Sequence, residues 1–189
     1  MEVIKLNRKS LEIATERINN GGVIIFPTDT VYGFLADAKN KKAVAKIFKI
    51  KKRPRLKPLP VFVSGIKMAE ELAIIGESQN KIIKKYWPGK YTFILERKKE
   101  IRLYDGAKNT IALRMPKYNF LNNLLKKINK PLVQTSVNIS GQDALSKISD
   151  IIKQFNKPDI LILDAGNLKK SKSSKILDLT ENKIKVLRK

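Results

Sequence analysis

A single α/β domain is the fold this sequence predicts, and three observations predict it. Short apolar runs with the length and branching of buried strands alternate with longer stretches whose apolar residues recur at helical spacing. Hydrophobic residues make up 42% of 189 residues, enough for one sizeable core. No repeat, low-complexity segment or linker divides the chain, so residues 1–189 are expected to form one domain. The pattern amounts to about seven or eight strands interleaved with about six helices.

Taken in order, Ser10 is placed to cap a first helix carrying Leu11, Ala14 and Ile18 on one face, closed by Asn19-Asn20-Gly21-Gly22. The apolar run Val23-Ile24-Ile25-Phe26 is a buried strand that stops at Pro27, which cannot continue a central strand. Thr28, Asp29 and Thr30 lead to Gly33, where a backbone turns tightly or approaches a ligand closely. Asn40 starts a second helix with Ala43, Val44, Ile47 and Phe48 inward and lysines outward. Its end delivers Lys51 and Arg53, and Pro54 keeps Arg53 out of the helical region. Residues 59–63 read as a strand, 67–74 and 79–86 as helices, and Trp87-Pro88-Gly89 closes that pair. Strands are expected at 91–96 and 110–115, separated by a polar loop at 97–109. A helix at 120–128 buries Leu121, Leu124, Leu125 and Ile128, and a short strand at 132–135 runs into Ser136-Val137-Asn138-Ile139-Ser140-Gly141. A helix at 150–155, a strand at 160–163 and a turn at Asp164-Ala165-Gly166 follow. Strands at 175–179 and 183–188 are joined at Thr180-Glu181-Asn182.

The composition narrows the chemistry. There is no cysteine and no histidine, which excludes a Ser-His-Asp triad, a Cys-His pair, a thiolate site and a histidine-ligated zinc. No run approaches the roughly 18 apolar residues of a membrane span. The start MEVIKLNRKS lacks an apolar signal region, so a cytoplasmic location is expected. Catalysis must lean on Lys, Arg, Ser, Thr, Asn, carboxylates and a ligand-borne metal. Forty Lys and Arg against seventeen Asp and Glu give a net charge of +23. Two accounts fit it: a polyanionic partner such as RNA or nucleotides, or a Lys-, Ile- and Asn-rich composition with a solvated basic surface. The block from Lys51 to Pro58 differs from the bulk charge, because its two arginines and two prolines give it a fixed shape. Small polar residues at a strand end, faced by such cations, describe a site for an anionic ligand.

Several motifs occur in a telling order: PTDTVYGF at 27–34, KKRPRLKPL at 51–59, WPG at 87–89 before YTFILE, Arg114-Met115-Pro116, SVNISG at 136–141 and a terminal Leu187-Arg188. Together they span nearly the whole chain and resemble the YrdC/TsaC family, the threonylcarbamoyl-AMP synthases. Val137 replaces the family's usual alanine. Ser173-Ser174-Lys175 stands where Gly-Ser-Thr is more usual, so either Ser173 or Ser174 fills the terminal serine position.

The resemblance implies a twisted mixed sheet with surrounding helices and an open basic cavity, in the short form without the extra C-terminal domain of a longer subtype. It implies condensation of L-threonine, bicarbonate and ATP into threonylcarbamoyl-adenylate with release of pyrophosphate, for threonylcarbamoyladenosine modification of tRNA. Lys51, Arg53, Ser136 and Asn138 form the implied catalytic set. Arg53, Lys57, Thr110, Asn138, Ser146 and Arg188 would contact ATP. Thr30, Arg114, Ser136 and Ser174 would hold threonine, with Arg114 on its carboxylate and Lys51 neutralising the triphosphate or the carboxylated intermediate. Mg2+ would arrive with the nucleotide, with no protein ligand named. Partner proteins of tRNA modification are implied, and contact with double-stranded RNA or tRNA is the alternative use of the basic face. Aromatic residues do not interleave with the Lys51–Pro58 block, so base stacking is not indicated there. Related carbamoyl-transfer domains sit in long, cysteine-rich hydrogenase-maturation proteins, unlike this cysteine-free chain.

Overall fold

The computed structural model describes residues 2–156, 159–169, 171–181 and 183–189. Along the chain these form β1 (Glu2–Lys5), α1 (Arg8–Asn19), β2 (Val23–Phe26), β3 (Gly33–Asp37), α2 (Lys41–Lys51), β4 (Val61–Phe62), α3 (Ile66–Leu72), β5 (Ala73–Ile74) and α4 (Glu77–Tyr86). They continue with β6 (Tyr91–Arg97), β7 (Thr110–Arg114), α5 (Asn119–Ile128), β8 (Leu132–Ser136), α6 (Ile148–Phe155), β9 (Ile160–Asp164), β10 (Lys175–Asp178) and β11 (Lys185–Arg188).

All eleven strands join one sheet in the order β1-β9-β2-β3-β8-β4-β7-β6-β10-β11, with β5 paired to β6. The sheet is mixed: β1, β9 and β2 run parallel, β2-β3-β8-β4 alternate in direction, and β4-β7 and β6-β10 are parallel again. Both faces are covered, which explains why β2 is a continuous apolar run. Val23 and Ile25 join one core with Ala43, Val44, Ile47 and Phe48 of α2. Ile24 and Phe26 join the other with Ala14 and Ile18 of α1 and Leu121, Leu124, Leu125 and Ile128 of α5. Among the described residues no helix is long and apolar enough to cross a membrane.

Several boundaries differ from expectation. The cap of α1 is Asn7, whose Oδ1 accepts from the Ser10 amide at 2.9 Å. Ser10 is the third helical residue and its Oγ accepts from the Asn7 amide at 2.9 Å, a reciprocal capping box. Asn40 does cap α2, accepting from the Ala43 amide at 3.0 Å. The strand expected at 59–63 shrinks to β4, because Pro58 and Pro60 remove donors just before it. Ala73 and Ile74 leave the helix expected at 67–74 to pair with β6 as β5. β1 and β3 add strands that the apolar pattern did not mark, and Gly33 opens β3 as a paired residue opposite Ser136. A side chain on Gly33 would meet the Thr135 carbonyl at 3.4 Å, so its role is close strand packing. Of the expected turn at 180–182, Asn182 lies outside the described residues; β11 begins at Lys185.

Candidate functional site

The half of the sheet from β8 to β11 carries a cleft of about 260 Å³. β2 ends at Pro27 and the chain crosses over through Thr28–Tyr32, which puts Thr30 and Val31 on the wall. Thr28 Oγ1 organises this crossing, donating to the Val31 carbonyl at 2.7 Å and lying 3.0 Å from Thr30 Oγ1. β7 contributes Thr110 and Arg114, β8 contributes Ser136, and the segment before β10 contributes Ser173 and Ser174. Arg53 and Arg188 complete the wall. Gln134 and Thr135 also line it, which the sequence did not single out; β8 brings them there by pairing between β3 and β4.

Three arginines therefore converge from residues far apart in the chain. Arg53 is fixed by its own loop, with Nε donating to the Lys57 carbonyl at 2.8 Å and Nη2 to the Pro58 carbonyl at 2.9 Å. Arg188 donates through Nε to the Ser174 carbonyl at 2.8 Å and through Nη2 to Ser174 Oγ at 3.2 Å. Ser174 is buried and its Oγ is 2.8 Å from Thr92 Oγ1. Arg114 is 1% exposed. Its Nη2 reaches Asp29 Oδ1 at 2.5 Å, its Nε donates to the Gly89 carbonyl at 3.2 Å, and its Nη1 lies 3.5 Å from Thr30 Oγ1. Burial lowers the pKa of all three guanidinium groups; Arg188 adds repulsion at Arg53 and Arg114, and Asp29 opposes the shift at Arg114. A guanidinium stays charged through such shifts; among the described residues the wall holds no carboxylate, and Asp29 behind it balances the charge of Arg114.

Lys51 and Asn138 stand behind this wall. Lys51 Nζ donates to the Ser136 carbonyl at 2.5 Å, the Asn138 carbonyl at 2.8 Å and Asn138 Oδ1 at 3.0 Å. Asn138 Nδ2 donates to the Ile139 and Gln142 carbonyls at 2.8 and 2.7 Å, and Oδ1 also accepts from Ser136 Oγ at 2.6 Å. Both side chains spend their hydrogen bonds on the turn after β8, and the ammonium faces that turn rather than the cleft. Lys57 is exposed and reaches the site only through the carbonyl that holds Arg53. Ser146 lines a neighbouring hollow that shares Val31 and Ser173 with the cleft. Arg55 and Lys52 are exposed, whereas Trp87 is 7% exposed and packs in the core.

Burial pushes Lys51 down to about 7, with Arg53 adding repulsion. An unfolded lysine holds its proton to about 10.5. Above pH 7 the unfolded chain therefore binds more protons at this position than the folded one, and stability rises with pH until about 10.5. Relative to Lys51→Met, the unfolding free energy of the unsubstituted protein is expected to rise by about 2 kcal/mol between pH 7 and 9. Denaturant unfolding at the two pH values measures it; a pH-independent difference would refute the burial account.

The Sua5/YciO/YrdC family model, described as telomere recombination, matches residues 16–189. A Methanocaldococcus jannaschii protein, provisionally named as a threonylcarbamoyl-AMP synthase, is 37% identical over 177 residues, covering 94% of this chain and 84% of that protein. The threonylcarbamoyl-AMP synthase of Pyrococcus abyssi is 31% identical over 179 residues, 94% of this chain but 53% of that protein, so the chain spans about half of that relative's length. The crystal structure of P. abyssi Sua5 complexed with L-threonine superposes with a TM-score of 0.90 at 30% identity, over 99% of this chain and 56% of that one. E. coli YciO superposes with a TM-score of 0.88 at 26% identity, over 100% of this chain and 93% of that one. With the family model matching residues 16–189 and a relative 37% identical over most of both chains, this chain belongs to the Sua5/YciO/YrdC family.

Proposed function

We propose that the chain is an ATP-dependent L-threonylcarbamoyladenylate synthase, a nucleotidyltransferase acting for threonylcarbamoyladenosine modification of tRNA. The observation that carries this reading is the convergence of Arg53, Arg114 and Arg188 on one cleft whose wall, among the described residues, holds no carboxylate, histidine or cysteine. The name of the P. abyssi relative and the threonine in its structure support it.

The reaction suits such a wall. The threonine nitrogen bonds to the carbon of bicarbonate with loss of water, giving a carbamate. A carbamate oxygen then bonds to the α-phosphorus of ATP, the bond from that phosphorus to the bridging oxygen breaks, and pyrophosphate leaves. No side chain forms a covalent bond. The protein positions small anions and offsets negative charge as it moves to the leaving group. Arg53 and Arg188 take the nucleotide phosphates, with Thr110 and Ser146 along the path and Lys57 at its exposed edge. Thr30, Arg114, Ser136 and Ser174 take threonine, its carboxylate on Arg114. Lys51 and Asn138 hold the turn that presents Ser136. Among the described residues the cleft wall offers hydroxyls and carbonyls but no carboxylate, while Asp143 lines the neighbouring hollow with Ser146. Mg2+ would come with the triphosphate. Proteins of tRNA modification take the adenylate onward in the cytoplasm, where ATP and tRNA meet.

Pyrophosphate release from ATP, with threonine and bicarbonate omitted in turn, tests the reading. Release that needs both co-substrates is expected. Salt-sensitive RNA binding without threonine-dependent release would instead favour a binding module on this scaffold.

A further inference from the structure

We propose that Asp29 is a specificity-determining residue that sorts the anions of the cleft, reserving Arg114 for a monoanionic carboxylate and leaving phosphate groups to Arg53 and Arg188. The inference rests on the reading of the cleft as a site for an amino acid and a nucleotide.

The geometry of Arg114 gives it a direction. Its Nη2 is bound to Asp29 and its Nε to the Gly89 carbonyl, and neither of those residues lines the cleft. Nη1 lies beside Thr30, which does. The guanidinium is thus gripped from behind on two nitrogens and offers the third to the ligand. Asp29 is itself fixed, because its Oδ2 accepts from the Lys117 amide at 3.1 Å. It cannot swing away without breaking a backbone hydrogen bond.

The electrostatic consequence differs between the three arginines. The Asp29 and Arg114 side chains are 7% and 1% exposed, so their opposite charges offset each other with little screening by water. An anion at Arg114 meets a pair of near-zero net charge. A monoanionic carboxylate can still use the directed N–H and the Thr30 hydroxyl, whereas a phosphate dianion loses far more hydration and finds no net positive charge there to offset it. Arg53 and Arg188 bond only to neutral carbonyl and hydroxyl oxygens, and among the described residues neither has a carboxylate partner. They keep their full charge, repel each other, and are both relieved by a multiply charged phosphate. One cleft therefore contains two anion subsites of different strength.

Inorganic phosphate is the probe. In the unsubstituted enzyme it is expected to compete with ATP and not with threonine. Asp29→Asn keeps the shape and removes the charge; phosphate should then compete with threonine as well, its inhibition constant against threonine falling by about tenfold. Asp29→Glu, which retains the charge, should keep the original pattern. An unchanged pattern in Asp29→Asn would overturn the proposal. So would phosphate competing equally with threonine and ATP in the unsubstituted enzyme, a result that needs no variant to fold. If the protein releases no pyrophosphate with threonine, the synthase reading fails instead. Calorimetric titration of phosphate into the threonine-loaded protein would still report the sorting.

Discussion

Arg53→Ala is expected to lower threonine- and bicarbonate-dependent pyrophosphate release by about 10²–10³-fold, the usual effect of deleting one preorganised donor to developing charge. Two of its nitrogens are already bound by the Lys57 and Pro58 carbonyls, so the group needs no reorganisation when the anion arrives. The same substitution should change the melting temperature little, because loss of the two carbonyl contacts is offset by loss of a disfavoured charge. Burial and the nearby Arg188 both disfavour the Arg53 charge, and removing it relieves that repulsion. Arg53→Lys should recover only part of the activity, since a point charge cannot keep both carbonyl contacts and still address the ligand. Steady-state pyrophosphate release and a thermal melt on the same samples decide it. A large fall in melting temperature alongside lost activity would move Arg53 from ligand contact to scaffold.

The second large effect falls on stability. Arg97 Nη2 binds both carboxylate oxygens of Asp105, at 2.7 and 2.6 Å, with side chains 5% and 0% exposed. Burial raises the Asp105 carboxyl pKa against the pull of Arg97. Asp105→Ala strands a buried guanidinium and is expected to cost about 3–5 kcal/mol, or about 10 °C in melting temperature for a domain of this size. Arg97→Met with Asp105→Leu removes both charges together and should cost far less. A double substitution as damaging as the single one would contradict this. The pair matters for the site because the Asp105 carbonyl accepts from the Leu59 amide at 2.7 Å. At Gly106, φ is +93° and an added Cβ would lie 2.9 Å from the Arg55 carbonyl, so this loop backs directly onto the segment that carries Arg53.

What could be read from the chain alone was whatever depends on near neighbours. The run from Val23 to Phe26 and the stripe from Leu121 to Ile128 declared their elements, because both-face burial and helical spacing are local patterns. The motifs placed Arg53, Arg114, Ser136 and Arg188 in one cleft. β1 escaped because its Glu2–Lys5 sequence is largely exposed, and it is a strand only through pairing with β9. Residues 97–109 read as a polar loop because nothing local announces that Arg97 is the end of β6 and is paired with Asp105. The motifs singled out Lys51 and Asn138 but not their contact with each other, since a lysine gives no sequence sign of the oxygens around its ammonium. Asp29 offered only its place in a loop; its partner Arg114 is 85 residues away.

The strand order has a consequence for how the protein is born. β11 reaches the sheet only by pairing with β10, and Arg188 sits on it. A chain emerging from the ribosome can therefore bury β2, β3 and their helices long before it owns a complete anion site. Until Arg188 has cleared the exit tunnel, the cleft has two of its three arginines. Because the cleft gains Arg188 only when β11 pairs with β10, an added polyanion should speed the docking of β10 and β11 more than any earlier step.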